Sequence, residues 1–113
     1  MTIESFNSEV EFDENRVKTK VIIETSFSKE IRILMKNGQL MKEHTAPYPI
    51  LIHVLKGSIE LGVEGVINPM NTGDIIALDA GVAHDLTAKE DTIIRLTLSR
   101  QDKVERVEDI VAH

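Results

Sequence analysis

Short β-favouring runs, broken every few residues by glycine and asparagine turns, govern what this chain can become. Val21-Ile22-Ile23 is the first run after Lys18. Ile31, Ile33 and Met35 then take alternate positions, the period-two pattern of a half-buried strand. Asn37-Gly38 follows as a tight-turn signal, because glycine tolerates positive φ. Ile50 to Leu55 is mostly apolar and stops at Lys56-Gly57, and Ile59, Leu61 and Val63 alternate up to Gly65. Asn68-Pro69 and Asn71-Thr72-Gly73 read as a loop. Ile75 to Leu78, Ala83 to Ala88 and Thr92 to Leu98 complete the set. About eight short strands with turns between them predict an all-β sandwich or closed barrel. No long helical pattern alternates with them, which excludes a doubly wound α/β fold.

The margins read differently. Residues 1–17 are polar and acidic, with isolated apolar positions at Ile3, Phe6, Val10 and Phe12, and predict an arm or short edge strand. The barrel core is placed at residues 30–98. In the tail, residues 102–113, Val104, Val107, Ile110 and Val111 fall at helical spacing behind Asp102, a suitable cap. That pattern predicts a terminal segment, a short helix or else a strand, packed on the barrel or on a partner chain. A chain of 113 residues is one domain's worth, and a hydrophobic fraction of 42% supplies a core. The absence of cysteine excludes disulfides, thiolate metal sites and a cysteine nucleophile together. The formal charge is −6 and the 13 basic residues are scattered. Nucleic-acid binding, which rests on neutralising phosphates, is therefore not expected. No apolar stretch approaches membrane-spanning length and no basic segment leads into an apolar run, so a cytoplasmic place without membrane contact is expected.

Two segments share a design. Gly38 precedes His44 and Gly57 follows it; Gly73 precedes Asp79-Ala80-Gly81 and then His84. Alternation puts His44, Ala46, Ile50, Ile52 and Val54 on one face, provided the strand continues through the bend at Pro47 and Pro49. A histidine on so apolar a face needs a partner, because an unpaired buried polar group costs about 1–3 kcal/mol. A second histidine through a metal ion, a carboxylate, a water or a ligand would serve.

These segments resemble the two signature motifs of the cupin superfamily, in its small single-domain branch. The first family motif is a glycine, five residues, His-x-His, a glutamate four residues on and a glycine seven later. Gly38, His44 and Gly57 match it, with Ala46 at the second histidine and Ile50 at the glutamate. The second motif is a glycine, five residues, Pro-x-Gly, two residues, a histidine, and an asparagine four further on. Gly73, Gly81 and His84 match, with Asp79 at the proline and Ala88 at the asparagine. Ala46-Pro47-Tyr48-Pro49 is similar to a segment found in a subgroup of small cupins. The resemblance implies a double-stranded β-helix, the jelly-roll barrel. It also implies a divalent metal (zinc, iron, manganese or nickel) held inside through three histidines and the glutamate, and a homodimer. Of those four ligands only His44 and His84 carry over.

Two readings of the pair follow. In the first, His44 and His84 donate hydrogen bonds to a small anionic or carbonyl-bearing molecule in the barrel, in a pocket lined by Tyr48, Ile50, Ile52 and Val54. In the second, they are the metal ligands of a dioxygenase or isomerase type of enzyme. A third reading, a sensor or accessory subunit, places the function on the surface. His53 is expected to point to the opposite face from Ile50, and His113 into solvent. Glu43 and Asp85 flank the two histidines and should point away from them, and Asp79 suits a turn.

Overall fold

The computed structural model describes residues 1–112. Its nine strands are β1 (Lys18–Glu24), β2 (Ser28–Met35), β3 (Leu40–His44), β4 (Ile50–Lys56), β5 (Ser58–Val63), β6 (Val66–Asn71), β7 (Ile75–Leu78), β8 (His84–Ala88) and β9 (Thr92–Ser99). One helix, α1 (Val104–Ala112), follows. The strands form two antiparallel sheets in the orders β1-β2-β9-β4-β7 and β3-β8-β5-β6. The non-sequential orders are those of a jelly roll, in which neighbours in the chain cross between sheets.

Alternation explains the core. Ile31, Ile33, Ile52, Val54, Ile94 and Leu98 turn inward from the larger sheet; Met41, Ile59, Leu61 and Leu86 meet them from the smaller. Burial on β2 is nevertheless continuous from Ile31 to Met35. The outward-facing Arg32 and Leu34 are buried because the N-terminal arm lies over them: Arg32 Nη1 donates to the carbonyls of Phe6 and Ser8 at 3.2 and 2.7 Å. Residues 1–17 thus form an arm with no strand, and the larger sheet begins at Lys18, ahead of the predicted core boundary.

Two local readings need correction. Asn68-Pro69 lies inside β6, where a loop was expected. β6 is the outer strand of its sheet, and an edge strand tolerates proline because one row of its N–H groups needs no partner. The chain also does not continue as one strand through Pro47 and Pro49. β3 ends at His44 in the smaller sheet and β4 starts at Ile50 in the larger one. Ala46, Ile50, Ile52 and Val54 are all buried as expected, but Ala46 lies in the connecting segment and Ile50, Ile52 and Val54 belong to the opposite sheet from His44.

The tail helix forms behind Asp102, whose carboxylate accepts from the Lys103 amide at 2.8 Å. The same carboxylate holds Arg106 in a two-point pair, Nε to Oδ1 at 3.0 Å and Nη2 to Oδ2 at 2.8 Å. α1 packs on β3 through Val107 and Ile110, and its Val111 shares a surface groove with Thr19 of β1. Since β1 and β3 are edge strands of the two sheets, α1 closes the mouth between them.

Candidate functional site

β3 and β8 pair so that His44 stands directly opposite His84, beyond a bulge that follows Met41. The two rings lie 4.2 Å apart between centroids, inclined at 59°. His84 is 2% exposed and His44 is half-buried. Each ring is fixed by its own strand: His44 Nδ1 lies 2.8 Å from the Lys42 carbonyl, and His84 Nδ1 lies 2.9 Å from the Val82 carbonyl. A carbonyl oxygen only accepts, so Nδ1 carries the proton in both rings. In the neutral imidazoles this leaves each Nε2 as a bare acceptor, and neither has a hydrogen-bond partner among the described residues.

Burial is the largest cause pushing the His44 pKa down, and the neighbouring His84 and Arg106 add to it; the Lys42 carbonyl and Asp85 oppose the shift. The neutral form of His44 is therefore favoured. The two signature turns are themselves tied together, since the Gly81 amide donates to the Ala46 carbonyl at 2.8 Å.

The pair opens on a hollow walled by Ile33, Met41, Ile50, Ile52, Leu86 and Leu96, and closed by Arg106 and Val107 of α1. Its volume is about 10 Å³. That is room for about one water molecule, and for no organic ligand while α1 stays in place. Arg106 also donates from Nη1 to the Thr45 carbonyl at 3.4 Å, which sets its charge beside His44.

Of the predicted pocket residues, Ile50 and Ile52 line this hollow with the two histidines. Val54 is fully buried deeper in the core, and Tyr48 sits half-buried in the segment between the sheets; neither lines it. The predicted donor role of the histidines reverses, because the strand carbonyls have taken the Nδ1 protons. His53 faces outward between Arg95 and Ile75. Asp85 lies against Gly62 on β5, where an added Cβ would come within 2.6 Å of its carboxylate. His113 lies outside the described residues. Sequence reading placed a helix in the tail but gave no sign that Arg106 and Val107 would close the site. Helical spacing marks an apolar face without saying what it covers.

The residues present do not fit a tightly held divalent metal. Among the described residues no three histidine, cysteine, aspartate or glutamate side chains gather at one point. Protein metal sites of the zinc type use three or four ligands, whereas here the two missing positions are the buried Ala46 and Ile50. Arg106 adds a like charge at the place a cation would need.

The family model described as "Cupin domain" matches residues 31–99, more than half of the chain. No curated protein matches. Among solved structures, an uncharacterised protein with a double-stranded β-helix domain from Klebsiella pneumoniae is similar at a TM-score of 0.78 and 19% identity, over 89% of this chain and 87% of that one. An RmlC-like cupin from Desulfovibrio desulfuricans is similar at 0.77 and 22%, over 88% and 96%. KdgF from a Halomonas species is similar at 0.71 and 19%, over 85% and 88%. No helix among the described residues is long and apolar enough to cross a membrane. Two antiparallel sheets in jelly-roll order and a family match across both glycine–histidine segments lead to one assignment: the chain belongs to the cupin domain family.

Proposed function

We propose that this cupin binds a small uncharged or weakly basic molecule inside the barrel, through a hydroxyl or amine that donates to Nε2 of His44 and His84. The observation that carries this reading is the clamping of both Nδ1 atoms by strand carbonyls. It turns two facing imidazoles into a pair of acceptors at the end of an apolar hollow, and a binding site of few polar groups in an apolar wall is the usual kind. The cupin fold supports small-molecule or metal binding in general; the donor set here favours the former. The hollow is too small for such a ligand, so binding requires α1 to yield the space that Val107 fills.

A thermal-shift screen of small alcohols, polyols and amines tests the reading, run on the parent, His84→Phe and a form ending at Gln101. Hits that stabilise the parent, bind the shortened form more tightly and lose their effect in His84→Phe support it. Hits indifferent to both changes, or none in the shortened form, contradict it. Protein purified without added metal is expected to carry no stoichiometric zinc, iron, manganese or nickel by elemental analysis, and chelation should leave its melting temperature unchanged.

A further inference from the structure

Three buried side-chain nitrogens among the described residues lack a hydrogen-bond partner: Arg32 Nε, Arg95 Nε and His53 Nδ1. All three fall on one line across the outer face of the larger sheet. Lys20 on β1 stands opposite Arg32 on β2, Arg32 opposite Arg95 on β9, and Arg95 opposite His53 on β4. Like charges placed directly opposite are destabilising, and native proteins leave few buried polar groups unpaired. A sequence that breaks both rules on a single rung points to a functional place.

The charges are only partly balanced from within the chain. Glu30 forms an ion pair with Arg95 Nε at 3.7 Å while also accepting from Ser28 Oγ at 2.7 Å and Thr97 Oγ1 at 2.5 Å, so Arg95 has a counter-charge and Arg32 is the buried cation without one. Arg32 is only 5% exposed and, among the described residues, forms no ion pair; its partners are the Phe6 and Ser8 carbonyls. Burying an unpaired cation is costly, and a planar guanidinium is shaped to receive an oxyanion. Beside Arg32 opens a groove of about 440 Å³, lined also by Glu9, Glu11, Lys18 and Lys20. Lys18 Nζ is committed to the Glu11 carbonyl at 2.9 Å, while the exposed Lys20 forms no ion pair among the described residues.

We propose that this groove is a second binding site, separate from the barrel interior, which takes a small oxyanion of the carboxylate or phosphate class on Lys20 and Arg32. The anion neutralises the buried guanidinium and relieves the repulsion along the rung. Glu9 and Glu11, which line the same groove, repel excess negative charge, so a monoanion is preferred to a polyanion.

The arginine Nε–Hε resonances of nitrogen-15-labelled protein test this, titrated with inorganic phosphate or acetate at constant ionic strength set by sodium chloride. The Arg32 resonance should move saturably, with acetate reaching saturation and citrate binding more weakly. Lys20→Met should weaken binding about two- to fivefold, the share of one exposed ion pair, and Lys89→Met should change nothing. In Arg32→Lys the resonance of Arg95, which stands opposite position 32, should show no saturable shift with added anion; if that variant fails to fold, Lys20→Met carries the test. Linear shifts that are the same in Lys20→Met mean an adventitious ion only, and overturn the proposal. Shifts that follow protein concentration rather than added anion, with a doubled mass by light scattering, mean that a second copy supplies the carboxylate, and overturn it equally. A ligand at His44 and His84 should leave the Arg32 resonance in place, so the two sites succeed or fail separately.

Discussion

A histidine facing a histidine in an antiparallel ladder is tolerable only while at most one ring is charged, because like charges directly opposite repel. The structure keeps His44 neutral mainly by burial, helped by His84 and Arg106. Its folded pKa is lowered from the ordinary 6.5, so below that value the unfolded chain binds more protons than the folded one. The contribution is therefore fully present above about pH 6.5 and is lost as pH falls below it, levelling once folded His44 itself protonates. Urea midpoints measured at about pH 7.5 and about pH 5.5 should fall with pH in the parent and fall less in His44→Gln. An equal fall in both proteins contradicts this. Gly57 makes the second residue-scale case. It sits at φ +108°, and an added Cβ would meet the Asp91 carbonyl at 2.8 Å and the Thr92 hydroxyl. Gly57→Ala should cost about 2 kcal/mol or more, combining left-handed strain with a backbone clash. A denaturation midpoint within error of the parent's would refute that. Gly57 was legible as a turn in the sequence, and so were His44 and His84 as a pair. What was not legible is which ring nitrogen each strand carbonyl would claim, because that depends on a rotamer that no spacing records.

At the level of elements, α1 decides whether the site is open. Its apolar spacing and its Asp102 cap were readable in advance, and the helix forms where they placed it. Its seat was not readable: an apolar stripe states that something is covered, and only the positions of β1 and β3 as sheet edges make that something the barrel mouth. Val107 is 2% exposed and closes the hollow, so Val107→Ala should destabilise the chain by about 1–3 kcal/mol. The same change should raise the reactivity of His84 toward diethyl pyrocarbonate, read at residue level by mass spectrometry. Loss of stability without new reactivity would mean that α1 is a brace and not a door. Pro69 inside β6 and the break between β3 and β4 show the same limit. Proline reads as a loop until the strand is known to be an edge, and alternation reads as one strand until the chain is known to change sheets.

Across the whole molecule, the two faces of the larger sheet are built on different rules. The inner face is apolar and closed against the smaller sheet. The outer face carries a line of cationic and imidazole side chains, partly roofed by the acidic arm, and it holds all three unpaired buried nitrogens among the described residues. The barrel itself was legible because strand periodicity and glycine turns are local signals. The outer rung was not, because Lys20, Arg32, His53 and Arg95 are neighbours only through register across four strands. The acceptor character of the interior rests on the protonation pattern of one histidine pair. Long-range proton–nitrogen correlation of the imidazoles at neutral pH reads it directly. Both His44 and His84 should show a protonated Nδ1 and a bare Nε2, with only the Nε2 signals moving when a ligand enters. Protons found on Nε2 in either ring would contradict the account, since the pair would then offer donors where the structure requires acceptors.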